Sequence, residues 1–199
     1  MMHHSVNYNL HGSLRIWRYM SIEKFALLMS RRQLWFTRAD LLGDEHEGSL
    51  PDSVINEREQ RLHDHRVIEM IERGSKEGRR HDFISCWSMQ AANDLRMWKI
   101  YTPHATGIAV KTTVDRLANC FVSIPDDHFE YLNARIEKIN YIDYDSHTTN
   151  KDFDNLIHKQ KGYVYEKEVR ILIESMSTVE EPTMGKELEV DLGLLIDKI

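Results

Sequence analysis

Leu14-Arg15-Ile16-Trp17-Arg18-Tyr19 alternates apolar and polar positions up to Tyr19, the pattern of a half-buried strand. Ser21 follows as a candidate N-cap. Ile22, Phe25, Ala26, Leu28 and Met29 then recur at helical spacing, which predicts a short amphipathic helix to about Ser30. Gln33 to Thr37, with Trp35 and Phe36, predicts a second strand, and Asp40 to Gly48 a turn-rich acidic loop. From Asp52 to about Arg73, Val54, Ile55, Leu62, Val67, Ile68, Met70 and Ile71 trace a narrow apolar stripe on a broad polar helix that Gly74 and Gly78 end. We read this stretch, about 52–80, as a helical excursion from the core.

Asp82 to Ser88 predicts the next strand, with Phe83, Ser85 and Trp87 on one face and Ile84, Cys86 and Ser88 on the other. Asn93 is the candidate cap of a helix carrying Leu95, Met97, Trp98 and Tyr101, and Pro103 and Gly107 bracket the turn after it. Ile108 to Lys111 predicts a strand, Thr113 caps a short helix, and Arg135 to Tyr144 predicts another strand. Asp152 to Gln160 predicts a helix on Phe153, Leu156 and Ile157; Val164 to Glu174 and Glu187 to Leu192 predict two more strands. Helices and strands alternate irregularly with uneven spacers. The pattern therefore predicts an α+β fold, a single domain over 1–199 with a mostly antiparallel mixed sheet, helices packed on it, and a poorly ordered N-terminal segment over 1–12.

Composition narrows the function classes. The chain has 199 residues, 41% of them hydrophobic and 29% charged, an ordinary globular balance. The net charge of −6 argues against a surface built to neutralise phosphate backbones, and Arg79-Arg80-His81, Arg58, Arg61 and Arg66 are interleaved with acids. Nucleic acid is thus an unfavoured partner. Cys86 and Cys120 belong to no Cys-x-x-Cys pair, and two thiols suit a reducing compartment. No apolar run approaches the length of a membrane span, and Met1 to Leu10 does not read as a signal peptide, so the expected location is the cytoplasm.

The chemically suggestive segment is Tyr165-Glu166-Lys167-Glu168-Val169-Arg170-Ile171-Leu172-Ile173. As a strand it sets Glu166, Glu168 and Arg170 on one face, neighbours about 6.5–7 Å apart at Cα. Such a face serves either as a catalytic carboxylate group oriented by its neighbours or as a wet sheet surface stitched by ion pairs. Glu168, Glu166 and Arg170 are the candidate catalytic residues. The aromatics offer Trp98 and Tyr101 as candidate pocket walls, most of the others reading as core. Asp44-Glu45-His46-Glu47-Gly48 contains metal-ligand types without a converging spacing, and His63 and His65 fall on different sides of a helix, so no metal site is assigned. Cys86, beside Trp87, reads as a small buried hydrophobe, and Ser85 and Ser88 lack a nucleophile elbow.

The order of Leu14 to Tyr19, Leu34-Trp35-Phe36, Asp44 to Gly48, Ser85-Cys86-Trp87-Ser88, Leu95 to Tyr101, Gly107-Ile108-Ala109-Val110 and Tyr165 to Arg170 resembles the bacterial family known as domain of unknown function 2971. The resemblance spans about Leu14 to Ile199, and its most specific part pairs the Met-Trp-x-x-Tyr helix with the Glu-x-Glu-x-Arg strand. Glu45 and His46 replace the family's usual Pro-Phe in the acidic loop. A looser likeness is to ADP-ribosyltransferases that use an Arg, then a Ser, then a late Glu-x-Glu. It implies that Arg18 and Ser85 bind NAD and that Glu168 engages its ribose, although the Ser-Thr-Ser run is missing. Arg18, Tyr19, Ser85, Trp98 and Tyr101 are accordingly the candidate binding residues. Two expectations compete: an enzyme on a nucleotide-like substrate with Glu168 as its central carboxylate, NAD being one such substrate and no cofactor otherwise assigned, and a non-catalytic binding or regulatory module of a bacterial or phage defence-type system with a protein partner.

Overall fold

The computed structural model describes residues 6–43, 51–62, 65–91, 93–102, 106–122, 133–145, 154–174 and 183–199. Among them the strands are β1 (Asn7–Tyr8), β2 (Arg15–Ser21), β3 (Gln33–Arg38), β4 (Phe83–Ser88), β5 (Gly107–Thr113), β6 (Asn133–Lys138), β7 (Asn140–Ile142), β8 (His158–Gln160), β9 (Glu168–Glu174) and β10 (Gly185–Glu189). The helices are α1 (Ile22–Arg31), α2 (Asp52–Leu62), α3 (His65–Gly78), α4 (Leu95–Tyr101), α5 (Val114–Asn119) and α6 (Leu192–Leu195). This is an α+β fold with a mixed sheet.

The main sheet runs β1-β6-β9-β4-β2-β5, all neighbours antiparallel except β1 with β6. It forks at β4. One edge of that strand pairs with β9 from Phe83 to Ser88. The opposite edge pairs with β3 at Phe83 and Ile84 and with β2 at Ser88. Among the described residues Ser85, Cys86 and Trp87 have no ladder partner on that edge, so β2 and β3 diverge there. α1 is the connection between the two prongs. Its start is set by Ser21, whose side chain accepts from Lys24 N, and Arg32 in the left-handed region closes it by donating to Leu28 O.

The two sheet faces differ in kind. Ile16, Met20, Leu34, Phe36, Phe83, Trp87, Val110, Ile136, Val169, Ile171 and Ile173 share the principal core with Leu28 of α1, Val114 and Leu117 of α5 and Leu195 of α6. The other face carries smaller clusters, Tyr19–Met97–Ala109 under α4 and Ala39–Ile84–Leu156–Leu172 at the opposite end. Strand alternation thus sends the best apolar set one way and leaves Glu168 and Arg170 on the other.

Several elements depart from the sequence expectation. The N-terminal segment expected to be poorly ordered is pinned from Val6, which is buried, and β1 adds to the sheet edge; residues 1–5 lie outside the described residues. The excursion contains two helices, α2 and α3, where one was expected, and α4 is capped by Asp94, not Asn93. The expected strand from Arg135 to Tyr144 breaks at Ile139, which is buried. Where a helix was expected over Asp152 to Gln160, the described part, from Asp154 on, is a turn followed by β8. Asp154 Oδ1 takes Leu156 N at 2.9 Å, and Leu156 and Ile157 join the smaller cluster by way of that turn. At Val164 to Glu174 the first part is a 3-10 turn (Lys161–Glu166), and only Glu168 onward is strand. The acidic loop Asp44 to Gly48 and His63 lie outside the described residues.

β10 lies against β3 with Gly185 opposite Thr37. A Cβ at Gly185 would run into the Trp35 ring and Phe36 O. Gly185→Ala is expected to cost about 1–3 kcal/mol by overpacking, read as a lowered urea midpoint accompanied by a shift in tryptophan emission.

Candidate functional site

Four charges meet on the less apolar face. Arg170 Nε donates to Glu168 Oε1 at 2.7 Å and Nη2 to Oε2 at 3.3 Å, while Nη1 donates to Leu156 O at 2.7 Å. Lys159 Nζ bridges Glu166 Oε2 at 2.8 Å and Glu168 Oε2 at 3.1 Å. Relative exposures of 0% for Arg170, 3% for Glu168, 4% for Glu166 and 7% for Lys159 make this a buried group. Two cations balance two carboxylates, which is the condition for burying any of them.

The backbone explains the convergence. β7 and β8 pair in parallel with Tyr141 opposite Lys159. Glu168 N donates to Tyr141 Oη at 2.8 Å and Ile139 N to Glu168 O at 3.0 Å, so this two-stranded ribbon is anchored at the start of β9. Between the two glutamates Lys167 sits at φ 44°, a left-handed conformation that a side chain resists. Ser88 Oγ donates to Glu166 O at 2.5 Å and Met89 N to Lys167 O at 2.9 Å, which hold the kink from β4.

This charged floor opens on a cavity of about 690 Å³ lying at the fork. β2, β3 and β4 contribute walls through Trp17, Arg18, Tyr19, Trp35, Cys86 and Trp87, α1 through Leu27, and α4 through Ile100 and Tyr101. Leu27, Trp35, Ile100 and Tyr101 are exposed, so large apolar groups stand at the cavity wall without being covered. Tyr19 stacks near Tyr101, ring centroids 6.4 Å apart, and donates to Ala91 O at 2.8 Å. Arg18 reaches across the fork: Nη2 donates to Trp35 O at 3.0 Å, and its guanidinium carbon lies 5.8 Å from the Trp87 ring centre.

Charge states follow from these surroundings. Burial lowers the Arg18 pKa to about 10, and no carboxylate among the described residues pairs with it. Burial raises the Glu168 pKa; Lys159 and the neighbouring Cys86 thiol pull the other way without cancelling it. Burial works against the Lys159 ammonium, but Glu168 and Glu166 outweigh it and hold its pKa up. Burial and then Glu168 push the Cys86 thiol well above its usual range, the opposite of an activated nucleophile. Tyr19 is pushed up to about 12 by burial and by Asp94.

Of the residues expected from sequence, Glu166, Glu168, Arg170, Arg18, Tyr19 and Tyr101 share this one cavity. Glu166 arrives there from the 3-10 turn and not from the strand. Ser85 points to the other face, where it is buried and accepts from Trp87 Nε1 at 3.2 Å. Trp98 is not among the lining residues and packs edge-on against Tyr19, centroids 5.1 Å apart. Lys159 was missed, because its segment reads as an amphipathic helix in sequence. The signal that could have found it is electrostatic: two buried carboxylates with one arginine require another cation. Among the described residues no group of three potential ligands is placed to hold a metal ion.

The family model described as Protein of unknown function (DUF2971) matches residues 97–171. The match supports the DUF2971 family resemblance. The matched segment runs from Met97 of α4 through Lys159 and the two glutamates to Ile171, so it contains the charged floor, while Arg18, Trp35 and Cys86 lie outside it. No curated protein and no solved structure gives a significant match, and the likeness to ADP-ribosyltransferases receives no support.

Lys159→Met keeps the stem and removes the charge between Glu166 and Glu168. It is expected to destabilise the protein by about 3–5 kcal/mol in urea unfolding at neutral pH. A second outcome concerns pH. Folded Glu168 holds its proton to a higher pH than the unfolded residue does, so the folded state binds more protons in the window above about 4.3. The stability that this group contributes therefore falls as pH rises through that window. Glu168→Gln is expected to flatten that part of the stability–pH curve, measured by urea midpoints at half-unit pH steps.

Proposed function

We propose that the fork cavity binds a nucleotide-like small molecule bearing an anionic group, and that the protein is an enzyme acting on it with the Glu166–Glu168 pair as its carboxylates; NAD is a substrate of this class. The observation that carries this reading is Arg18, a half-buried guanidinium with no carboxylate partner among the described residues, beside a cavity of about 690 Å³. Burying an unpaired charge is unfavourable, and a ligand anion supplies the missing partner. The exposed Trp35 and Tyr101 rings add surfaces on which a planar base can stack.

A second reading, a binding or regulatory module, draws on the α2–α3 excursion, where Met70 is exposed among exposed Arg66, Glu69 and Arg73. Such a face offers a protein contact. The two readings separate on turnover, since only the enzyme consumes its ligand.

Thermal unfolding with NAD, AMP and inorganic phosphate at millimolar concentration tests the site. A ligand at a hundredfold over its Kd is expected to raise Tm by roughly 5–10 °C. Arg18→Gln is expected to abolish that shift while costing the free protein no more than about 1.5–3 kcal/mol, the worth of one charged hydrogen bond. Chromatography of incubated NAD reads turnover. No shift with any nucleotide overturns the reading.

A further inference from the structure

The two glutamates on the cavity floor are not equivalent. Glu168 carries three hydrogen bonds: Arg170 engages both its oxygens and Lys159 adds a third. A carboxylate has about four acceptor positions, so Glu168 has at most one left to offer. Glu166 receives one bond, from Lys159 to Oε2. Among the described residues its Oε1 has no partner, and that atom is not sealed from solvent. Glu166 nevertheless is only 4% exposed and lines the cavity. A buried carboxylate with half its capacity unused is costly unless something else fills it. The strained Lys167 backbone that sets Glu166 apart from the strand is held by bonds from Ser88 and Met89, so the orientation is built and not incidental.

We infer that Glu166, through Oε1, is the carboxylate that meets the ligand, that Glu168 is a positioning residue acting through Lys159, and that the ligand brings a hydroxyl or similar hydrogen-bond donor to Glu166 as well as an anion to Arg18. This rests on the reading of the cavity as a site for a nucleotide-like anion. It fixes the substrate class more narrowly: a compound with an anionic end and a polyol or donor-bearing end, joined through a part that lies against Trp35 and Tyr101. Phosphate alone would satisfy Arg18 only.

Titration calorimetry with AMP and with 2′,3′-dideoxy-AMP tests the assignment by their affinity ratio, which a merely structural role does not move. The wild type is expected to prefer AMP by roughly tenfold or more, the worth of one charged hydrogen bond. Glu166→Ala is expected to bring the ratio to about one. Glu166→Gln, which preserves shape, should lower it at least about threefold, neutral hydrogen bonds being weaker than charged ones. Glu168→Gln is expected to weaken both probes together and keep the ratio. If both probes bind through Arg18 but the ratio survives in both Glu166 variants, or collapses only in Glu168→Gln, the assignment is overturned while the anion site stands. If the wild type binds neither probe, or Arg18→Gln binds AMP as well as the wild type does, the anion site itself falls and the assignment with it.

Discussion

Two glutamates can be buried side by side only if cations of matching number reach them, and much of this structure serves that requirement. Lys159 lies between Glu166 and Glu168, and Arg170 chelates Glu168 from two residues along the strand. Neither cation comes cheaply. Lys159 depends on the β7–β8 ribbon and on the Asp154 turn ahead of it. Arg170 depends on the Leu156 carbonyl from that same turn. The left-handed Lys167 and the Ser88 and Met89 bonds to its neighbourhood bring Glu166 within reach. Charge balance in a low-dielectric setting therefore ties together segments that are distant in sequence.

The fork in the sheet supplies the space above this floor. A strand that pairs β3 at one end and β2 at the other leaves its middle open on that edge. The principal core fills the opposite face with Val169, Ile171, Ile173 and Trp87. Arg18, which is in phase with Ile16 and Met20 along the strand and lies by the Trp87 ring, crosses from β2 to the Trp35 carbonyl as a strut between the prongs. Anion, donor and ring surfaces then occupy different walls of one cavity, an arrangement that fits a ligand with chemically distinct ends.

Much of the local structure was legible in the chain. Ser21 and Thr113 cap the helices that their positions announced. The alternation of Phe83 to Ser88 sorted the two faces of β4 correctly, and the same alternation marked Glu168 and Arg170 as a pair set apart from Val169 and Ile171. Arg18, Tyr19 and Tyr101 also reach the cavity as expected. The failures share a cause. Phe153, Leu156 and Ile157 have helical spacing, yet Leu156 and Ile157 are buried through a turn, because the Asp154 cap and the contacts with Ile84 and Leu172 outweigh local propensity. Glu166 has strand-like spacing to Glu168, yet a 3-10 turn and a kink carry it to the same place by another route.

The sequence by itself determined the α+β class, the apolar faces of β4 and β9 and the residue types at the site, since these follow from local periodicity and side-chain chemistry. Tertiary structure alone decided that Ser85 and Trp98 turn away from the cavity, that Lys159 joins it, and that, among the described residues, one glutamate receives three bonds and the other a single one. Those outcomes depend on which distant segments meet and on how many donors arrive at each carboxylate. Pairing across the fork and through the β7–β8 ribbon sets both, and no pattern within a single segment encodes them.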